Sequence, residues 1–297
     1  MKDGAAAMLM NSDIGARLLR DRGRTRSLLA HHIMSRRRRR LRLFLAHPEL
    51  LRPKGRPGGI CVSLTSWRPR LDDLPLVLLG LLEQTIIPES IYVWLTPEDK
   101  DFLDTTVHAA FVHHGVQFLT CDDLGPHKKW LPLLEHGVTN PFVICDDDIL
   151  YPADWLERLA KEDRADAYVG ARCHRISWTS DGALLPYVDW AKNVDCTEEP
   201  AGNLFITGCG GAIIHPERLL TKFRDRQRIM DECPHADDIW LKAAHAAVNV
   251  PCYKTRYSFP CLEIPGAQAH GLMVTNVDKG QNDRQMGILH ETMRDMA

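Results

Sequence analysis

The sequence predicts an α/β fold: a mostly parallel sheet flanked by helices, preceded by a basic helical extension. Three observations carry the prediction. Apolar runs of four to six residues alternate with helix-forming stretches from Ile60 to Cys145, the rhythm of βαβ units. The run Phe142–Cys145 is apolar throughout, as a strand buried on both faces requires, and it ends abruptly in Asp146, Asp147 and Asp148. Charge is also divided along the chain. Residues 1–56 hold 15 Lys+Arg against 4 Asp+Glu, and the remainder holds 22 against 35, so a net charge of only -2 conceals a basic beginning and an acidic body.

The 297 residues are 44% hydrophobic and 26% charged, which fits a globular protein and excludes a disordered or fibrous one. We divide them into a basic extension and linker, 1–56, and one larger α/β domain, 57–297. Ile14–Leu51 is helical in pattern and rich in arginine, with five in a row at Arg36–Arg40. Two readings of it stay open: contact with an anionic membrane surface, or a solvated helix covering part of the domain. Nucleic acid is not expected, because no stacking aromatics stand among the arginines. Pro48, Pro53, Gly55, Pro57, Gly58 and Gly59 then mark a linker. Strands are expected at Ile60–Thr65, Ile91–Leu95, Val116–Leu119 and Phe142–Cys145, with helices at Leu74–Glu83, Glu98–His113 and Lys128–His136. Thr96-Pro97 supplies a cap and first turn for the second of these helices. Beyond Asp148 the rhythm loosens. Helices are expected at Trp155–Lys161, Pro216–Phe223, Asp237–Ala247 and from Arg284, and strands at Ala167–Arg172, Phe205–Thr207 and Ala212–Ile214. Nine scattered Cys without a Cys-x-x-Cys pair argue against a zinc cluster or disulfide scaffold and fit a reducing, cytoplasmic setting. No apolar stretch approaches the ~18 residues that cross a bilayer.

Five groups of residues carry chemistry. Thr65, Ser66, Arg68 and Arg70 follow the first strand, where the ligand crevice of an open α/β sheet lies; guanidinium forks there suit phosphate. Gly125-Pro126-His127-Lys128-Lys129 puts cations at a helix start, against the helix dipole, which makes sense beside a bound anion. Asp146, Asp147 and Asp148 repel one another and raise each other's pKa, so a cation between them is the economical explanation; all-oxygen ligands favour Mg²⁺ or Mn²⁺. Asp237 and Asp238 open a helix, yet capping needs only one acid, which leaves the other available as a general base. Thr207-Gly208-Cys209-Gly210-Gly211 allows the backbone close to a ligand.

Taken in order, Val62-Ser-Leu-Thr-Ser-Trp, Leu82-Glu-Gln-Thr with Pro88, Gly-Pro-His-Lys-Lys, Asp-Asp-Asp-Ile, Gly-Gly and Asp-Asp-Ile-Trp resemble the GT-A-fold, family-2-like nucleotide-sugar glycosyltransferases of bacterial surface-polysaccharide synthesis. The resemblance covers about residues 60–290. It implies that Thr65, Ser66, Arg68 or Arg70, and Lys128 bind the nucleotide. It implies that Asp146–Asp148 are an Asp-x-Asp motif in which Asp148 ligates Mn²⁺ or Mg²⁺ and Asp146 reaches ribose or metal-bound water, with Asp147 in the donor site. Gly210 and Gly211 would line donor sugar or acceptor. Asp238 would be the catalytic base, with Asp237 in the preceding acidic position and His270 a further metal or phosphate contact. The sequence departs from the family after the second strand, where Leu95-Thr96-Pro97 intervenes before Glu98 and Asp99 and no acid stands ready to read the base.

The resemblance therefore implies an inverting transfer of sugar from a nucleotide-sugar donor, with UDP expected, to a glycan or glycolipid acceptor. It implies a cytoplasmic enzyme, peripheral on the inner membrane face if the arginines touch lipid. Two alternatives stand beside it. A sugar-phosphate nucleotidyltransferase also needs acids and a divalent ion, but it usually carries a glycine-rich loop after the first strand, and Ser66-Trp-Arg-Pro-Arg-Leu-Asp-Asp has no glycine. A non-catalytic carbohydrate-binding protein could share the fold without turnover.

Overall fold

The computed structural model describes residues 13–52, 55–195, 199–266 and 280–294. In chain order the strands are β1 (Arg56–Pro57), β2 (Cys61–Thr65), β3 (Ile86–Ile87), β4 (Ile91–Leu95), β5 (Val116–Thr120), β6 (Phe142–Ile144), β7 (Tyr168–Gly170), β8 (Cys173–Arg175), β9 (Leu204–Ile206), β10 (Ala212–Ile214) and β11 (Cys252–Lys254). The helices are α1 (Asp13–Ala46), α2 (Leu74–Leu82), α3 (Pro97–Asp101), α4 (Thr105–Val112), α5 (Leu131–Glu135), α6 (Trp155–Lys161), α7 (Arg226–Glu232), α8 (Asp237–Ala246) and α9 (Gln281–Arg294).

Among the described residues seven strands form one sheet in the order β11-β7-β10-β6-β2-β4-β5. Only β10 runs against its neighbours; the other pairings are parallel. The mixed α/β architecture with a mostly parallel sheet is thus the one the alternation predicted. Burial on both faces explains the strand sequences. Along β6, Val143 enters one apolar cluster while Phe142 and Ile144 enter the other, and all three are fully buried.

The chain leaves β2 toward β4 and β5 on one side and returns to β6 on the other. The order reverses between β2 and β6, the switch point beyond whose carboxyl strand ends open α/β sheets take their ligands. The loops that issue into it are Ser66–Arg70 and Asp146–Asp148.

Three expected helices break. Glu98–His113 divides into α3 and α4, because Asp104 starts a new helix by accepting from the N–H groups of Thr106 and Val107 at 2.8 and 3.0 Å. Lys128–His136 becomes a 3₁₀ turn, Gly125–Lys129, followed by α5; Pro132 has no N–H to continue a helix through Trp130. Pro216–Phe223 is likewise two 3₁₀ turns, not a helix. The proline- and glycine-rich stretch expected as linker is pinned in its described part: Arg56 N–H donates to Thr85 O at 3.1 Å, and β1 lies parallel to β3.

Helix α1 ends at Ala46, ahead of a 3₁₀ turn at Pro48–Leu50, and it docks on the domain. Ala30, Met34 and Phe44 are buried, and Phe44 lies 4.9 Å from the ring of Phe111. Arg37 crosses α2 where Gly80 has no side chain; a methyl there would lie 2.6 Å from the guanidinium. Its nitrogens donate to the carbonyls of Leu76 and Tyr151. Arg38 and Arg40 pair with Asp73 and Glu83 at 3.3 and 2.6 Å. Phe44→Ala should cost about 3 kcal/mol and lower the melting temperature by several degrees. An unchanged melting curve would show that α1 does not depend on this contact.

Candidate active site

Three stretches far apart in sequence meet beyond the β2 and β6 ends. After β2, the chain turns through a short 3₁₀ helix, Arg68–Arg70, which aims Arg70 back at the acids after β6. Ser66 Oγ donates to Asp147 Oδ2 at 2.6 Å, and Arg70 reaches Asp147 Oδ1 at 2.6 Å and Asp148 Oδ2 at 3.0 Å. Asp147 is therefore held by the protein on both oxygens. Its pKa is raised by burial, against the opposing pull of Arg70 and Ser66. Asp148 is pushed up to about 7 by burial and by the neighbouring charge of Asp146, with Arg70 opposing. Asp146 is the most accessible of the three, its side chain 25% exposed. Its N–H donates to the Tyr151 hydroxyl at 2.9 Å, and that hydroxyl donates to Cys209 O at 3.1 Å.

The second stretch supplies the buried cation. Lys129 Nζ lies 2.7 Å from Asp146 Oδ1 and 3.2 Å from Asp237 Oδ2. Burial alone would lower its pKa, but Asp146, Asp237 and Asp238 together hold it well above the ordinary lysine value. Lys128, the expected nucleotide contact, pairs with Asp123 at 2.6 Å.

The third stretch is the start of α8 with the glycine loop. The cap position of α8 is Ala236, without a side-chain bond, so neither Asp237 nor Asp238 caps the helix. Both turn inward. Asp238 Oδ1 accepts from Gly208 N–H at 2.8 Å. A methyl on Gly208 would sit 3.2 Å from Asp238 Oδ1, 3.3 Å from Lys129 Nζ and 3.8 Å from Asp146 Oδ1. The acids from the β6 end and from α8 thus converge on one bare α-carbon. Burial and Asp237 raise the pKa of Asp238, with Lys129 opposing; burial likewise raises Asp237.

The remaining expected residues divide. Gly211 adopts φ +88, a conformation that favours glycine, and a methyl there would press into the Trp155 ring at 2.5 Å. Gly210 O accepts from Trp155 Nε1 at 2.8 Å, and a methyl on Gly210 would strike Arg172. These two glycines seat the loop. Thr65 Oγ1 donates to Trp94 O at 2.8 Å within the sheet, and Arg68 is exposed, stacked over the Phe102 ring at 3.6 Å. His270 lies outside the described residues.

Lys129, Gly208, Tyr151 and Arg172 complete the site; the first two stand in motifs read from sequence but were given no role of their own, and Tyr151 and Arg172 were not singled out. The adjacent Lys128-Lys129 pair was visible, but in a 3₁₀ turn helical phase does not say which one faces inward. Arg172 follows β7, donates to Thr207 Oγ1 at 2.9 Å and Cys209 Sγ at 3.3 Å, and no spacing marked it.

Among the described residues no three His, Cys, Asp or Glu side chains are arranged to hold a metal ion by themselves. Five carboxylates, however, face the two cations Lys129 and Arg70, which leaves the site short of positive charge. Asp146 and Asp148 offer hard oxygen ligands, and Mg²⁺ or Mn²⁺ is commonly held by one or two carboxylates with substrate phosphates completing the shell. The donor set fits such an ion as a two-carboxylate site, with Asp147 excluded by its bonds to Ser66 and Arg70.

No protein-family model and no curated protein matches the chain. Among solved structures it is similar to a mannosyltransferase from Pyrobaculum calidifontis in complex with GDP-Man and Mn²⁺, at 13% identity and a TM-score of 0.44 over 92% of this chain and 82% of that one. It is also similar to the inositol-1-phosphate CTP transferase from T. maritima, at 11% and 0.38 over 69% and 86%. A third is the 4-diphosphocytidyl-2C-methyl-D-erythritol synthase from Anaerococcus prevotii, at 9% and 0.36 over 58% and 81%. Likenesses this distant leave the reaction to the chemistry of the site.

Replacing Lys129 by Met should destabilise the fold by about 3 kcal/mol, since it strands buried carboxylates without their cation. Thermal unfolding of Lys129→Met beside Lys128→Met checks this; equal, small shifts for both would deny Lys129 its central place.

Proposed function

We propose that the protein is a metal-dependent glycosyltransferase that moves a sugar from a nucleotide-sugar donor to a hydroxyl acceptor, with inversion, in polysaccharide or glycoconjugate synthesis. The observation that carries this reading is the convergence of Asp146, Lys129 and Asp238 on Gly208, with Arg70 and Asp148 alongside, at the switch point of the sheet. One side of the cluster suits a diphosphate and the other suits an acceptor hydroxyl.

Asp146 and Asp148 would hold the divalent ion, which supplies charge to offset the leaving diphosphate when bound. Arg70 and Lys129 stand where cations meet negative charge developing on the departing phosphate, the site in which fixed charges lower a barrier most. Asp238 accepts the proton of the acceptor hydroxyl. The acceptor oxygen forms its bond to the anomeric carbon as the carbon–phosphate oxygen bond breaks, and the nucleoside diphosphate leaves with that electron pair. Gly208 N–H fixes the Asp238 carboxylate in place, and Asp237, drawn to Lys129, keeps the cation from pairing with Asp238 directly.

The test is a hydrolysis and transfer screen over nucleotide sugars with Mn²⁺. The reading expects turnover that chelator removes. Asp238→Asn should lower transfer about 10²–10⁴-fold, the usual worth of a general base, with nucleoside diphosphate binding nearly intact. Asp148→Ala should abolish the dependence of that binding on Mn²⁺. Turnover of a nucleoside triphosphate with a sugar phosphate, and none of a nucleotide sugar, would replace this reading by nucleotidyl transfer. A base must be ionised to act, so the rate rises with pH through its pKa. Because the Asp238 pKa is raised, that ascending limb should lie above the ordinary carboxylate value of about 4. A limb at the ordinary value would assign the proton transfer to another group.

A further inference from the structure

The arginines of α1 are not all occupied by the docked face. At 100° per residue, Ala30, Met34, Arg37 and Phe44 lie on one side of the helix, against the domain. Arg36, Arg39 and Arg42 lie on the other side and are exposed. No acidic side chain among the described residues pairs with any of these three, whereas Arg38 and Arg40 on the flanks are paired with Asp73 and Glu83. Leu28 and Leu43 stand on the same outward face and are 68% and 62% exposed.

We propose that this outward face of α1 binds the surface of an anionic lipid bilayer. Charge complementarity names the partner: three unpaired guanidiniums aligned along one helix face attract an anionic surface, and each is worth roughly fivefold in partitioning. The exposed leucines on either side of them, Leu28 and Leu43, choose a bilayer over a nucleic acid. Apolar side chains enter the headgroup boundary beside basic residues, whereas a phosphate backbone offers them nothing and the face has no Phe, Tyr or Trp ring to stack on a base. The acidic body, 22 Lys+Arg against 35 Asp+Glu over residues 57–297, is repelled by the same surface, so attraction and repulsion together fix one orientation. Because the buried face of α1 is locked to α2 and Phe111, the arginines are presented on a rigid element. The helix is also joined to the site by one relay, Arg37 to the Tyr151 carbonyl and the Tyr151 hydroxyl to Asp146 N–H. The proposal does not depend on which reaction the site performs.

Co-sedimentation of the full chain with phosphatidylcholine vesicles, with and without phosphatidylglycerol, tests it. The chain should bind the mixed vesicles and not the neutral ones, and added salt should release it. The triple variant Arg36→Gln, Arg39→Gln, Arg42→Gln should bind about 100-fold more weakly while its melting temperature stays that of the parent, since all three side chains are exposed. Leu28→Ser with Leu43→Ser should weaken vesicle binding at unchanged charge. Absence of binding to the mixed vesicles, or equal binding by the arginine variant, overturns the proposal. Tighter binding to an RNA oligonucleotide than to the vesicles, with no effect of the leucine changes, overturns it in favour of a nucleic acid.

Discussion

A single buried ammonium group joins the two halves of the site. Lys129 lies between Asp146, at the end of β6, and Asp237, at the start of α8. Three carboxylates close enough to raise its pKa would repel one another in a low-dielectric interior. With the lysine among them they become a cluster that fixes α8 against the sheet end. The arrangement on Gly208 follows from it. A side chain at position 208 would crowd Asp238 and Lys129, and the Asp238 carboxylate is steadied by the Gly208 N–H. Arg70 does the corresponding work on the other flank, where it ties the β2 loop to Asp147 and Asp148.

The balance of charge then separates roles that the sequence leaves merged. Three consecutive aspartates read alike, but the fold gives each a different surrounding. Asp147 is bonded on both oxygens to Ser66 and Arg70 and serves the architecture. Asp146 is partly open and faces Lys129. Asp148 is buried beside Asp146 and Asp147, with Arg70 at 3.0 Å from its Oδ2. In the same way Asp237 and Asp238 are adjacent but differ: Asp237 is buried and pairs with Lys129, while Asp238 is half-buried and accepts from the Gly208 N–H.

Much of the framework was legible because its physics is local. Strands buried on both faces are mostly apolar, and β4 and β6 are so throughout; Thr96-Pro97 caps α3 as its pattern says, with Thr96 Oγ1 accepting from Asp99 N–H at 3.1 Å. What was not legible depends on contacts between distant residues or on turns without periodicity. The choice of Lys129 over Lys128 is set by a 3₁₀ turn and Pro132. Arg68 and Arg70 are equivalent in sequence, yet one stacks on Phe102 and the other enters the site. Arg172 and Tyr151 matter only because β7 and the chain after β6 pass beside the glycine loop. The break at Asp104 reflects a cap inside what composition shows as one helical stretch.

The basic extension shows how one segment can answer to two constraints. Its inner face is ordinary core, with Ala30, Met34 and Phe44, and its arginines are partly structural through Arg37, Arg38 and Arg40. The central claim concerns the site itself, that the carboxylates after β6 and the base on α8 serve one ligand. The most direct measurement is the anomalous signal of Mn²⁺ in crystals grown with a nucleoside diphosphate. The account predicts one manganese peak touching Asp146 and Asp148, with the diphosphate beside Arg70 or Lys129 and Asp238 facing the same crevice. Manganese and nucleotide bound away from these carboxylates, with Asp238 facing neither, would contradict it.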